Sequence, residues 1–279
     1  MKLRITKVDQ QDEAVRSRLF EMLAHYELHA LFILGNLRRG FPGSHIYVAS
    51  IGGTWVGAAG YYAGPKSLIP FSTRPAVVRS LVRYVSTLHP DMSYLNGIDY
   101  VAEPAYEELL RLGFEPDNDP HLVFMQLEGE PPSQPHEELA RPVAESDAED
   151  VAKLKRYARD LIEPDAPISE HEIAEARMNP LRHVLVVGDT VVSTAGTNGI
   201  GLEAFQILGV VTHPEFRRRG YAGAVCASLI RAMGRKGARR CVLFTRPDNV
   251  AARRCYARIG FHDTGQYYVA KLKRPGPRS

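Results

Sequence analysis

The chain has 279 residues, 44% of them hydrophobic and 24% charged, with a formal net charge of +3. That length accommodates two domains with sizeable cores, and no apolar run approaches the length of a membrane span; the polar start, Met1 to Lys7, is unlike the apolar core of a secretory signal. Three cysteines (Cys226, Cys241 and Cys255) offer neither a disulfide framework nor close metal-ligand pairs, so a cytoplasmic protein without a metal is expected.

In chain order, Leu3 to Val8 reads as a strand, and Val15, Leu19, Met22 and Leu23 share one helical face. An apolar stretch from Leu31 to Leu37 runs up to Gly40. Ile46 to Ala49 and Thr54 to Tyr62 form a hairpin across Gly52-Gly53. Arg74 to Leu88 carries Val77, Val78, Leu81, Val82 and Val85 at helical spacing. A strand is expected over Met92 to Ile98, then a helix over Ala105 to Leu112 stopped by Gly113, then a strand over Leu122 to Leu127.

Glu128 to Glu138 carries Pro131, Pro132 and Pro135 without periodicity and reads as an interdomain linker. The second half then repeats the order of the first. Ala144 to Ala158 is an amphipathic helix capped by Ser146 or Asp147. His183 to Val187 and Thr190 to Thr197 form a hairpin around Gly188-Asp189, and Phe205 to Thr212 is a strand. Arg240 to Thr245, Asn249 to Ile259 and Tyr267 to Leu272 read as strand, helix and strand. Leu112-Gly113-Phe114 overlays Ile259-Gly260-Phe261, and each precedes a closing strand, which is a weak internal repeat.

The most informative stretch is Leu208 to Tyr221, Leu-Gly-Val-Val-Thr-His-Pro-Glu-Phe-Arg-Arg-Arg-Gly-Tyr. An apolar strand ends at His213-Pro214, because Pro cannot donate to a ladder. Arg217, Arg218, Arg219 and Gly220 then lead into a helix whose Ala222, Val225, Cys226, Leu229 and Met233 share one face. A basic turn of small residues at a helix N-terminus is an anion cradle, since its free amides and the helix dipole point at one spot. The string differs from a P-loop and from the dinucleotide fingerprint. It resembles the Arg/Gln-x-x-Gly-x-Gly/Ala signature of the GNAT superfamily of acyl-CoA N-acyltransferases. A second pattern, Asn249-x-x-Ala252-x-x-x-Tyr256-x-x-x-Gly260-Phe261, resembles that superfamily's next motif at matching spacing.

The resemblance covers residues 141–273 by motif and 1–128 by element order only. It implies an α/β (α+β) chain of two tandem GNAT-like folds, each a mixed central sheet flanked by helices. The N-terminal copy, 1–128, is degenerate: the overlay places Leu109 where Tyr256 stands and Ala102 where Asn249 stands, and its turn Phe71 to Ala76 has no glycine. Residues 129–140 are the linker, and 141–279 the working domain. By the same resemblance, Val210, Val211 and Thr212 offer backbone groups to the pantetheine arm of acetyl-CoA, the acyl donor. Arg217, Arg218, Arg219, Gly220, Tyr221, Ala222 and Gly223 hold its pyrophosphate, Asn249 contacts the cofactor, and Tyr256 acts as general acid toward the departing thiolate. The base is the gap. Gln206 stands where some relatives carry Glu, and Glu203, three residues earlier, is the candidate base.

From Phe205 to Ser279 there are sixteen Lys and Arg against three acids, which calls for an anionic partner. Two functions stay open at this point. The first is an N-acetyltransferase acting on a small-molecule or peptide amine, with no membrane partner and homodimerisation undecided. The second is an inactive GNAT-fold module binding nucleic acid or a protein. Nucleic acid is the weaker partner, because no stacking-aromatic and basic motif of the RNA-binding kind is present.

Overall fold

The computed structural model describes residues 2–158, 167–177 and 181–274. The chain forms two compact units. The first comprises Met1–Phe124, Phe244–Pro247 and Thr264–Ser279; the second comprises Met125–Leu243 and Asp248–Asp263. Among the described residues no helix is long and apolar enough to cross a membrane.

The first unit runs β1 (Leu3–Val8), α1 (Glu13–Ala24), α2 (Leu31–Arg39), β2 (Ser44–Ile51), β3 (Thr54–Tyr62), β4 (Ser67–Phe71), α3 (Pro75–Leu88), β5 (Tyr94–Ile98), α4 (Asp99–Arg111) and β6 (Glu115–Pro116). β7 (His121–Glu128) falls on the division between the units. β1 to β4 pair antiparallel in sequence order, and β4 meets β5 in parallel at Ser67↔Tyr94 and Leu68↔Leu95. Two elements differ from the sequence expectation. β4 goes unread in the sequence because Pro70 argues against a strand; Pro70 pairs with Ala59 but lies beyond the last residue that β5 holds. α4 begins at Asp99 rather than Ala105, with Pro104 inside it. An interior proline costs about 3 kcal/mol; Val101, Ala102, Ala105 and Leu109, each at most 1% exposed, offset that by burial.

The closing strand β13 (His262–Lys273) also departs from the expected division at 141–279. From Tyr267 to Lys271 it pairs antiparallel with β5 of the first unit, Tyr267 lying opposite Ile98. Its anchor is Tyr267, whose ring stacks on Phe244 at 4.4 Å and meets Phe124 at 5.8 Å and Phe32 at 6.0 Å. An aromatic cluster of this kind fixes the strand by area and by ring geometry.

The second unit holds β8 (Ala140–Pro142), α5 (Ala148–Arg156), α6 (Glu170–Arg177), β9 (His183–Val187), β10 (Thr190–Ile200), β11 (Ala204–Thr212), α7 (Tyr221–Gly234), β12 (Arg240–Thr245, its last two residues counted with the first unit) and α8 (Val250–Arg258). Its strand order is β8-β9-β10-β11-β12, antiparallel except for the parallel β11–β12 pair. The alternation of a strand assigns the two faces. His183 reaches Ser228 of α7 at 3.0 Å, whereas its neighbour Val184 joins Val151, Ala152 and Val211 in a core under α5. The stretch expected to be a linker is held by this unit. Arg231 of α7 donates to Glu137 (2.7 Å), Glu130 (2.8 Å) and the Pro131 carbonyl (2.8 Å). Proline-rich backbone has few ladder partners, and here one guanidinium supplies three of the contacts that order it.

Candidate active site

The site is organised by an interruption in β11. The register runs Thr194↔Val211 and then Gly196↔Leu208, so Ala195 faces both Gly209 and Val210. Gly209 has φ +63, the left-handed bulge conformation that glycine adopts without strain. β11 also parts from β12: the parallel pairing ends at Gln206↔Val242, and among the described residues Leu208 to Thr212 have no partner strand on that side. The Val211 carbonyl accepts from Ser193 Oγ at 3.1 Å, on the β10 side, so alternation turns the backbone groups of Val210 and Thr212 to the open edge. Thr212 confirms this, its carbonyl accepting from Arg217 Nε at 3.2 Å. An open edge of this type accepts an extended chain carrying amides.

The cradle follows directly. Arg218 (φ +64) and Gly220 (φ +87) are left-handed, and Gly220 is the N-cap of α7 without a side-chain cap bond. Among the described residues the amides from Arg218 to Gly223 donate to no protein group; the first α7 amide with an acceptor is Ala224, to the Gly220 carbonyl at 3.0 Å. These amides form a concave nest at the positive end of a 14-residue helix. The three arginines divide their work. Arg217 is tied to Thr212, Arg219 to the Glu215 carbonyl at 3.2 Å and to the Phe216 ring, and the exposed Arg218 is held by no hydrogen bond or ion pair among the described residues. The Tyr221 ring is 8% exposed and packs near His136, so its amide is what faces the nest. Ala222 leaves the approach small, and a Cβ at Gly223 would meet Gln134 Oε1 at 3.1 Å and Ile259 at 3.5 Å.

Asn249 and Tyr256 come from α8. Asn249 Oδ1 accepts the Ala252 amide at 3.2 Å, so the side chain caps the helix and keeps its exposed Nδ2 free for a ligand. Tyr256 lies in the last turn, its ring 6.0 Å from Phe261. Burial raises the phenol above its usual range, and its electrostatic neighbours are the thiols of Cys226, in the second turn of α7, and Cys255. Among the described residues its hydroxyl has no hydrogen-bond partner, and it stays protonated at any physiological pH. Burial raises the three thiols as well, which suits packing and not nucleophilic attack.

Glu203 is not brought to this site. It precedes β11, at the end opposite the cradle, and its side chain faces Arg239 at 3.5 Å. Gly209 lies six residues further along the chain, a span of roughly 20 Å in extended strand. Gln206 is 1% exposed, with its Oε1 accepting from Asn198 at 3.0 Å. The residue that sequence reasoning missed is Gly209, and the signal was present: a glycine inside an apolar strand marks a bulge. Among the described residues no group of three His, Cys, Asp or Glu is placed to hold a metal.

What the site can do is bind an anion at the nest, add an extended amide-bearing chain to β11, and donate a proton from Tyr256. Residues 149–261 match the model of the acetyltransferase (GNAT) family, and that part of the chain is a GNAT domain. The whole chain has the fold of a tandem GNAT protein. It aligns with a tandem GNAT protein from the clavulanic acid biosynthesis pathway over 100% of both chains, at 14% identity and a TM-score of 0.57. A GCN5-related N-acetyltransferase from Sphaerobacter thermophilus aligns over 99% of this chain and 97% of its own, at 17% identity and TM-score 0.64. One from Kribbella flavida covers 80% and 88%, at 18% identity and TM-score 0.55. At these identities the likeness is one of fold. Comparison with the curated proteins gives no match.

Proposed function

We propose that the chain transfers an acetyl group from acetyl-CoA to a primary amine, with the second unit as the working domain. The observation that carries this reading is the run of amides from Arg218 to Gly223 that have no acceptor among the described residues, set just past the stretch where β11 parts from β12. These residues fit coenzyme A: the nest and Arg218 suit a pyrophosphate, and the open groups of Val210 and Thr212 suit the two amides of a pantetheine arm. Acetyl-CoA supplies the thioester, whose C–S bond breaks as the amine nitrogen bonds to the acyl carbon. Backbone amides at the Gly209-Val210 bulge would stabilise the negative charge that develops on an acyl oxygen bound there. Tyr256 gives the departing sulfur its proton, a role that a phenol with a raised pKa keeps over a wide pH range. With Glu203 remote, the amine arrives neutral or loses its first proton to water, and the proton that the nitrogen sheds on acylation passes through water and restores the Tyr256 phenol.

The first unit lacks these groups, and we read it as a copy without a cofactor. At the N-terminus of α3 the Arg74 amide is taken by Ser72 Oγ at 3.2 Å, Pro75 has no amide, and Val77 and Val78 both donate to the Arg74 carbonyl. Leu109 and Ala102, at 0% exposure, are core residues. The test is an acceptor screen with acetyl-CoA, reading thiol release and product mass for the parent and for Tyr256→Phe. A product from the parent that the variant forms at least a hundredfold more slowly supports the reading. Parity between the two removes Tyr256 from the chemistry.

A further inference from the structure

Among the described residues no carboxylate pairs with Arg182. It lies just ahead of β9 and is 5% exposed. Nη1 donates to Thr194 Oγ1 at 3.0 Å, Nε is enclosed without a partner, and Nη2 has no acceptor among the described residues. The carboxylate whose charge acts on it, Glu175, is engaged at 3.0 Å by Lys155. Burial lowers the guanidinium's pKa. An arginine this enclosed ordinarily has a carboxylate partner, because taking a lone cation out of water costs several kcal/mol.

The direction of the side chain says what it is for. β9 meets β10 with His183 opposite Ala195, so the next β10 position toward Arg182 is Gly196, and Gly196 pairs with Leu208. With no side chain at Gly196, the arginine reaches across β10 to the bulge. A Cβ placed on Gly209 would lie 3.7 Å from Nη2 and 3.9 Å from Nη1. Leu208, beside it, is 46% exposed, so this stretch of β11 is open. Nε is sealed inside, so the nitrogens presented to the bulge are Nη2 and Nη1, and Nη2, without an acceptor among the described residues, is the one placed to donate a charge-assisted hydrogen bond to a carboxylate there.

We infer that Arg182 is a specificity-determining subsite for a carboxylate carried by one of the two substrates, the amine acceptor or the acyl chain. The inference rests on the acyltransferase reading for what reacts at the bulge. An α-amino acid holds its amine one carbon from its carboxylate, so binding at Arg182 delivers the nucleophile to Gly209-Val210. A dicarboxylic acyl group reaches the same edge from the thioester side. Both sources present the same chemistry to the guanidinium.

Calorimetry on the full chain separates them. In one arm, protein saturated with coenzyme A is titrated with the common α-amino acids and with their carboxamides; in the other, succinyl-CoA is compared with acetyl-CoA. The expected result is a carboxylate preference of at least tenfold in one arm, falling to within twofold of parity in Arg182→Gln. Thr194→Asp, which sets a carboxylate against Nη1, removes the preference with the arginine retained, and it decides the matter if Arg182→Gln does not fold. Preference in the amino-acid arm assigns the carboxylate to the acceptor, and preference in the succinyl arm assigns it to the acyl chain. Parity in both arms, or a preference that survives both variants, overturns the subsite. If coenzyme A itself does not bind, the acyltransferase reading fails, and the amino-acid arm run without it still decides Arg182.

Discussion

Gly220 separates backbone geometry from charge in the cradle. Its φ of +87 lies in the left-handed region, and a Cβ there would meet nothing within 4 Å. Any substitution therefore costs strain rather than a clash, about 1–2 kcal/mol, which lowers the melting temperature by roughly 3–8 °C for a domain of this size. Gly220→Gln and Gly220→Glu carry that cost equally and have nearly the same volume. They differ in one negative charge beside the amides of Arg218 to Gly223. Two like charges about 4 Å apart repel by about 1 kcal/mol in water and about 4 kcal/mol at an effective dielectric of 20. The turn is exposed, so the lower half of that range applies, a loss of roughly fivefold to sixtyfold in affinity. Isothermal titration with coenzyme A at low salt, alongside thermal melts, measures both quantities. The two variants should melt together while Glu binds more weakly than Gln by that factor, and the gap should narrow as salt rises. Equal affinities for the two variants would refute the assignment of the pyrophosphate to this turn.

Three further outcomes follow from particular side chains. Tyr256→Phe should lower kcat by roughly 10²- to 10⁴-fold and leave coenzyme A affinity within a few-fold; because burial raises the phenol, the parent's kcat should show no loss below about pH 10 that belongs to this proton. His183, enclosed against Ser228, has its pKa pushed down to about 4 by burial and then by Arg235, so only the unfolded chain gains its proton as pH falls below 6.5. Stability from this residue is therefore intact above 6.5 and lost progressively down to pH 4, by about 3 kcal/mol, and denaturant melts of His183→Gln should lack that part of the acid slope. Arg231→Met should free the segment 129–139, which limited proteolysis will show as cleavage absent from the parent.

Much of the second unit was legible because its signals are local. The stripe Ala222, Val225, Cys226, Leu229 and Met233 has a single period, and α7 forms where it says, burying Val225 and Leu229 to 1% or less. The Asn249 cap needs only the three residues that follow it. What stayed hidden depends on partners distant in sequence. β13 has an ordinary strand pattern, and nothing in it names β5, more than 160 residues away, as its neighbour. Glu203 attracted attention as a carboxylate near the motif, but strand direction carries it to the wrong end of β11. Arg182 has no motif around it at all; its interest lies in a buried guanidinium that pairs with no carboxylate among the described residues, which only the packed structure reveals.

The central claim is that coenzyme A lies along the open edge of β11 and over the N-terminus of α7, and amide chemical shifts test it most directly. Isotope-labelled full-length protein is titrated with coenzyme A, following the backbone amides one by one. The account predicts saturable shifts concentrated at Val210, Thr212 and Arg218 to Gly223, with the turn at Ser72 to Val78 in the first unit unmoved. Saturable shifts at that first-unit turn, or none at Arg218 to Gly223, would contradict it.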